Sequence, residues 1–81
     1  MEAQTQNQVI HIFVKRGQQE VKLDFTTALA TGLEIKTRAG GSAMDGLYIS
    51  KGGKDVEVTD AEVVELHNGE HFVLIPNGRV S

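Results

Sequence analysis

From Val9 onward the chain alternates between apolar and polar positions. Ile10, Ile12 and Val14 take turns with His11, Phe13 and Lys15. That is the period of a strand with one buried face. After the turn "RGQQ" the alternation resumes in "EVKLDF", with Val21, Leu23 and Phe25 on one side and Glu20, Lys22 and Asp24 on the other. Two such runs joined by a short glycine turn predict an antiparallel hairpin. The period then changes. In "TGLEIKTRAGG", Ile35 and Ala39 are spaced to share one side of a helix. Thr31 followed three residues later by Glu34 has the spacing of a capping box, and Gly40 suits the left-handed conformation that ends helices. The predicted helix is short, about eight residues, and needs a sheet to lean on.

The remaining pattern is again extended. "GLYIS" and "DVEV" read as short strands, joined by the two-glycine turn "KGGK". "TDAEVVEL" has no clean period and reads as a turn and then an extended arm. "HNGE" is a tight Asn-Gly turn, and "HFVLIP" is a last strand stopped by Pro76, which has no N–H to donate. The order β-β-α-β-β-β predicts an α+β fold, a mixed sheet of four to five strands packed on one short helix. Residues 1–8, "MEAQTQNQ", are polar and predict a disordered arm. Residues 9–76 form the domain, and residues 77–81, "NGRVS", a flexible tail.

Alternation also says what faces away from the helix. With Ile12, Val14, Leu47, Ile49, Phe72 and Leu74 turned inward, Phe13, Tyr48, Val73 and Ile75 turn outward. Four apolar or aromatic side chains on the open face of a sheet point to a protein-docking surface, because a contiguous exposed apolar patch more often marks a docking site.

Composition narrows the function classes. The chain has 81 residues, so one domain at most. A chain of this size buries only about 60% of the surface its unfolded form exposes, which argues against a deep cavity. There is no cysteine, so a disulfide scaffold, a thiolate nucleophile and a Cys-ligated metal are excluded. The net charge is −3, the basic residues are scattered and Trp is absent. Neither a nucleic-acid partner nor a stacking platform for bases is expected. No run is apolar enough for a membrane span, and a cytoplasmic location without a membrane partner is expected.

Candidate chemistry is thin. His67 and His71 stand at a spacing that suits a metal on a helix, but Asn68-Gly69 breaks any helix between them. The two imidazoles read as surface side chains. "AGGSAMDG" and "KGGK" lack the order of residues that cradles a nucleotide phosphate and read as turns. Ser42 and Ser50 occur without a nucleophile elbow. Asp55, Glu57, Asp60, Glu62 and Glu65 read as a solvated acidic stretch. The expectation is a protein that is not an enzyme, with no catalytic residue, no metal and no cofactor.

With these residues in view, the chain resembles ubiquitin. The run Ile12-Phe13-Val14-Lys15, preceded by an apolar Ile10, looks like the opening strand of ubiquitin. "EVKLDF" repeats the alternation of its second strand, and "HFVLIP" with a short tail stands where the last strand and conjugating tail stand. "TGLEIKTRAG", "LYISKGG" and "DAEVVELHNGEHF" resemble the bacterial multiubiquitin-type domains more specifically. The resemblance covers about residues 9–76 and implies a ubiquitin-like β-grasp fold. It also implies a protein modifier whose C-terminal carboxylate is activated and joined to target proteins. The implied partners are an activating enzyme, a conjugating enzyme and a processing peptidase. Two departures stand out. The tail has one glycine, Gly78, followed by Arg79-Val80-Ser81, where ubiquitin ends in a Gly-Gly pair, and the helix is shorter.

Three accounts of the tail remain open. A peptidase cuts after Gly78 and exposes its carboxylate, or Ser81 is activated as it stands, or the tail is a plain terminus. The alternative function is a non-conjugated β-grasp adaptor that holds a partner through its open sheet face. Lys15, Lys22, Lys36, Lys51 and Lys54 are the candidate acceptors if chains form.

Overall fold

The computed structural model describes residues 9–77. The first two alternating runs form β1 (Ile10–Arg16) and β2 (Gln19–Phe25), paired antiparallel from Ile10 opposite Phe25 to Arg16 opposite Gln19. Gly17, at φ 59°, takes the turn between them. A three-residue strand β3 (Leu29–Thr31) leads directly into the helix α1 (Gly32–Arg38). Then come β4 (Gly46–Lys51), β5 (Lys54–Val58), β6 (Val63–Glu65) and β7 (Glu70–Ile75). Gly52 and Gly53 make the β4–β5 turn, both at positive φ (57° and 82°), which is the backbone that joins tightly paired strands without splaying them.

Five strands form one mixed sheet in the order β2-β1-β7-β4-β5. The first and last strands, β1 and β7, lie parallel at its centre, with Val14 opposite Phe72. The other pairs are antiparallel. The fold is α+β with one short helix, as expected, but the order is β-β-β-α-β-β-β-β rather than β-β-α-β-β-β. The two added strands, β3 and β6, pair with each other, Leu29 opposite Glu65 and Thr31 opposite Val63. Three residues are too few to display a two-residue period, and neither strand has a partner nearby in sequence. The extended arm expected in "TDAEVVEL" is thus a strand.

The helix side of the sheet is the core. Ile12, Val14, Leu23, Phe25, Leu47, Ile49, Val58, Phe72 and Leu74 are buried there against Ile35 and Ala39 of the helix segment. Side chains as fully enclosed as Phe72 and Ile12 each contribute roughly 1.5–3 kcal/mol relative to exposure. Seven residues of helix would not persist alone, so its ends are tied down. Thr31 caps the N-terminus, its Oγ1 accepting from the Glu34 N–H at 3.1 Å. The Gly32 N–H donates to the Glu62 carbonyl at 2.9 Å and the Leu33 N–H to Asp60 at 3.0 Å, so the turn before β6 satisfies two more orphan donors. At the other end the Gly41 N–H reaches back to the Lys36 carbonyl at 2.9 Å, with Gly40 at φ 86°. Arg38 in the last turn lies over the Phe25 ring at 4.2 Å and binds the Asp24 carbonyl.

The helix start sits so close to the following turn that a side chain has no room. A Cβ on Gly32 would stand 2.1 Å from the Thr59 carbonyl oxygen, a backbone atom that cannot step aside. Gly32→Ala is therefore expected to destabilise the fold by about 2 kcal/mol or more through overpacking. Urea denaturation checks this, with the midpoint falling and the slope unchanged.

Candidate functional site

The outward face of the sheet carries the side chains that alternation placed there. Phe13 on β1, Val73 on β7 and Tyr48 on β4 are half-buried, and Ile75 is 42% exposed. Tyr48 lies directly opposite Val73, and Val73 opposite Lys15. Ile75 lies opposite Gly46, which has no side chain to cover it. Phe13 is opposite His71, one step diagonal to Val73, still within reach of an aromatic ring. The four residues thus occupy three adjacent strands, and β7 joins the other two. His71 belongs to this face as well, and the sequence pattern did not single it out for it. Its ring stacks on Phe13 with centroids 5.3 Å apart and planes 21° from parallel.

Charges border the apolar strip. On the β2 side, Glu20 lies 3.6 Å from His71 and Asp24 2.6 Å from His11. The His11 contact is the main reason the Asp24 carboxyl is held below the ordinary aspartate range. On the β5 side Glu57 faces Tyr48, and Asp55 accepts from the Ser50 hydroxyl. An apolar strip two or three side chains wide with a charged margin suits a flat protein surface better than a small molecule.

The histidine pair at the Asn-Gly turn is separately engaged. His67 is near Glu70 at 3.7 Å, while His71 faces Phe13 and Glu20. Among the described residues no three of His, Cys, Asp and Glu gather as ligands. No helix among them is long and apolar enough to cross a membrane.

Two polar residues on the helix side were not legible as special. Lys36 is 2% exposed. Its ammonium donates to the Asp45 carbonyl at 3.1 Å and the Ala43 carbonyl at 3.4 Å, and pairs with Asp60 at 2.7 Å. This corrects two expectations. Asp60 is not part of a merely solvated acidic stretch, and Lys36 is not an accessible acceptor. The physical reason is that the turn before β6 folds back on α1 and closes over the lysine. Beside it is a recess of about 110 Å³ walled by Lys36, Asp45, Glu57 and Asp60, smaller than the pockets that hold drug-sized ligands. Asp45 is the second. Its carboxylate accepts the Ser42 N–H at 2.9 Å and the Asn77 N–H at 3.1 Å, and these bonds, the Ser42 one foremost, hold its carboxyl below the ordinary range. The Ser-x-x-Asp spacing in "GGSAMDG" was the one local signal for it.

Asn77, the first residue of the tail, lies in the turn after β7. Gly78 and Ser81, the expected processing or conjugation positions, lie outside the described residues, as does the expected arm at 1–8. The chain matches no protein-family model, no curated protein and no solved structure.

The Lys36–Asp60 pair makes a two-part prediction. Asp60→Ala strands a buried ammonium and is expected to destabilise by about 1–3 kcal/mol, less than a fully enclosed pair because Asp60 is partly open to solvent. Lys36→Met combined with Asp60→Ala removes both charges and is expected to recover part of that loss, the Asp45 and Ala43 carbonyls still lacking their donor. Thermal melts of the two variants check the difference. Acylation of the native protein with an amine-reactive ester should leave Lys36 the slowest of the lysines.

Proposed function

We propose that this chain is a ubiquitin-like protein modifier with a β-grasp fold. The observation that carries the reading is the sheet order β2-β1-β7-β4-β5, with the first and last strands parallel at the centre and the helix across one face. That arrangement is compatible with a β-grasp, and three of its strands, β1, β2 and β7, are ones whose sequences resemble ubiquitin. Two further features support the reading. The outer face is free of the helix and carries Phe13, Tyr48, Val73 and Ile75 together. The last strand ends at Ile75, a residue of that face.

In this role the domain performs no chemistry. Its C-terminal carboxylate, on Gly78 after peptidase cleavage or on Ser81 directly, is adenylated by an activating enzyme with release of pyrophosphate. A carrier nucleophile on the conjugating enzyme then displaces AMP, and a nucleophile on the target displaces the carrier. The modifier supplies a narrow chain end and a rigid docking face. Glycine at position 78 serves the first need, because a residue without Cβ lets an enzyme channel close around the backbone. A cytoplasmic setting, where ATP and the partner enzymes meet, belongs to the same proposal.

The test is the intact mass of the protein from its native host, with its covalent adducts. An adduct through Gly78 or Ser81 is the expected outcome. Only unmodified protein, with the partner enzymes expressed, removes the conjugation step and leaves the adaptor. For the docking face, Phe13→Asp and Ile75→Asp are each expected to weaken binding to the activating enzyme by tenfold or more, on the order of a buried interface anchor. Circular dichroism should show both variants folded. Binding that survives both changes removes this face from the interaction.

A further inference from the structure

The root of the tail is fastened to a residue that is itself immobilised. Asn77 is the only described non-glycine residue at positive φ, 56°, so its backbone is turned out of the extended conformation. Its N–H donates to Asp45 Oδ1 at 3.1 Å. Asp45 is buried, and it is held from several sides. Its Oδ2 takes the Ser42 N–H, its Oδ1 also lies 3.3 Å from the Ser42 hydroxyl, its own N–H donates to the Ser42 carbonyl, and its carbonyl accepts from Lys36. The acceptor therefore cannot follow Asn77 if the tail is pulled. The groups facing it are Arg16 from β1, Lys36 from α1 and Ser42 in the loop, with Glu57 and Asp60 in the adjoining recess.

Enzymes that take a chain end into a cleft commonly bind it as an added strand, which needs extended backbone and free N–H groups. Asn77 offers neither while Asp45 holds it. We propose that Asp45 is a latch on the root of the tail, a positioning residue that keeps Asn77 out of the extended conformation until an enzyme draws it free. The latch separates the two routes to a reactive end. Hydrolysis after Gly78 adds water across the Gly78–Arg79 bond, leaving a carboxylate on Gly78 and an amine on Arg79. That cut needs Asn77 extended in the cleft, so the latch must open. Activation of Ser81 as it stands leaves Asn77 outside the cleft, and the latch stays closed. The latch rests on geometry alone; its bearing on conjugation rests on the modifier reading.

Trypsin is a suitable probe, because a cut after Arg79 likewise requires the chain from Asn77 in extended form. In the 81-residue chain, release of Val80-Ser81 is followed by mass spectrometry. Asp45→Ala removes the acceptor. Asn77→Val works from the other side, since a β-branched residue disfavours positive φ and leaves Asp45 and Ser42 untouched. Both are expected to speed the cut after Arg79 about tenfold or more, as loss of one hydrogen bond to a charged group implies, with interior cuts unchanged. Should Asp45→Ala open the whole fold, seen as faster interior cuts, Asn77→Val decides. A rate after Arg79 unchanged in Asn77→Val overturns the latch. The native protein gives an independent readout. The Asn77 amide proton is expected to shift in one step on acidification as the Asp45 carboxylate protonates, and an amide that ignores the titration overturns the latch equally. A host that forms no adduct removes the modifier reading and leaves the latch standing; an unchanged cut removes the latch and leaves the modifier reading standing.

Discussion

The pairing of β1 with β7 holds the structure together. It joins the first strand to the last, in parallel, at the centre of the sheet. Parallel neighbours cannot be joined by a tight turn, so everything between them must serve as the crossover. The hairpin β1–β2 extends the sheet one way and β4–β5 the other, and α1 lies across the inner face. Ile12 and Val14 on β1 and Phe72 and Leu74 on β7 are the most enclosed side chains at the seam. The same register sets the outer face, since it brings Phe13 to His71 and Lys15 to Val73. A shift of one residue in β7 would turn its apolar set outward and dissolve both the core and the face.

A second layer of order comes from polar groups inside a thin domain. Lys36 ties α1 to the loop before β4 and, through Asp60, to the turn before β6. Asp45 ties the same loop to the end of β7. Buried polar groups are costly unless fully partnered, and here the partners come from segments with few apolar residues of their own. Asp24 and Asp45 share one consequence for pH. Both carboxyls are held below their ordinary range, so the stability they contribute is present above the unfolded value and is lost as pH falls through the folded one. For Asp45 that loss would also free the root of the tail.

The local part of this structure was legible. Thr31 and Gly40 marked the ends of the helix because a cap and a left-handed glycine act within one turn of backbone. Ile75 ended the last strand because Pro76 cannot donate to a ladder. The outward placement of Phe13, Tyr48, Val73 and Ile75 followed from the two-residue period, which is geometric and needs no knowledge of partners. His71 was not recognised as part of that face, because its place depends on standing opposite Phe13 across a parallel pair. β3 and β6 were missed as strands because each has three residues and exists only by pairing with the other.

By itself, then, the sequence determined which residues of the longer strands turn in, which turn out, and where the helix and the last strand stop, since those choices are made by backbone sterics and by periodicity over a few residues. Only the tertiary structure decided that the first and last strands meet, that Lys36 is sealed under Asp60, and that Asn77 is held by Asp45. Each of these joins positions far apart in the chain, and no local preference encodes such a contact. It forms when burial of the shared apolar seam brings the segments together and leaves their polar groups with each other rather than with water.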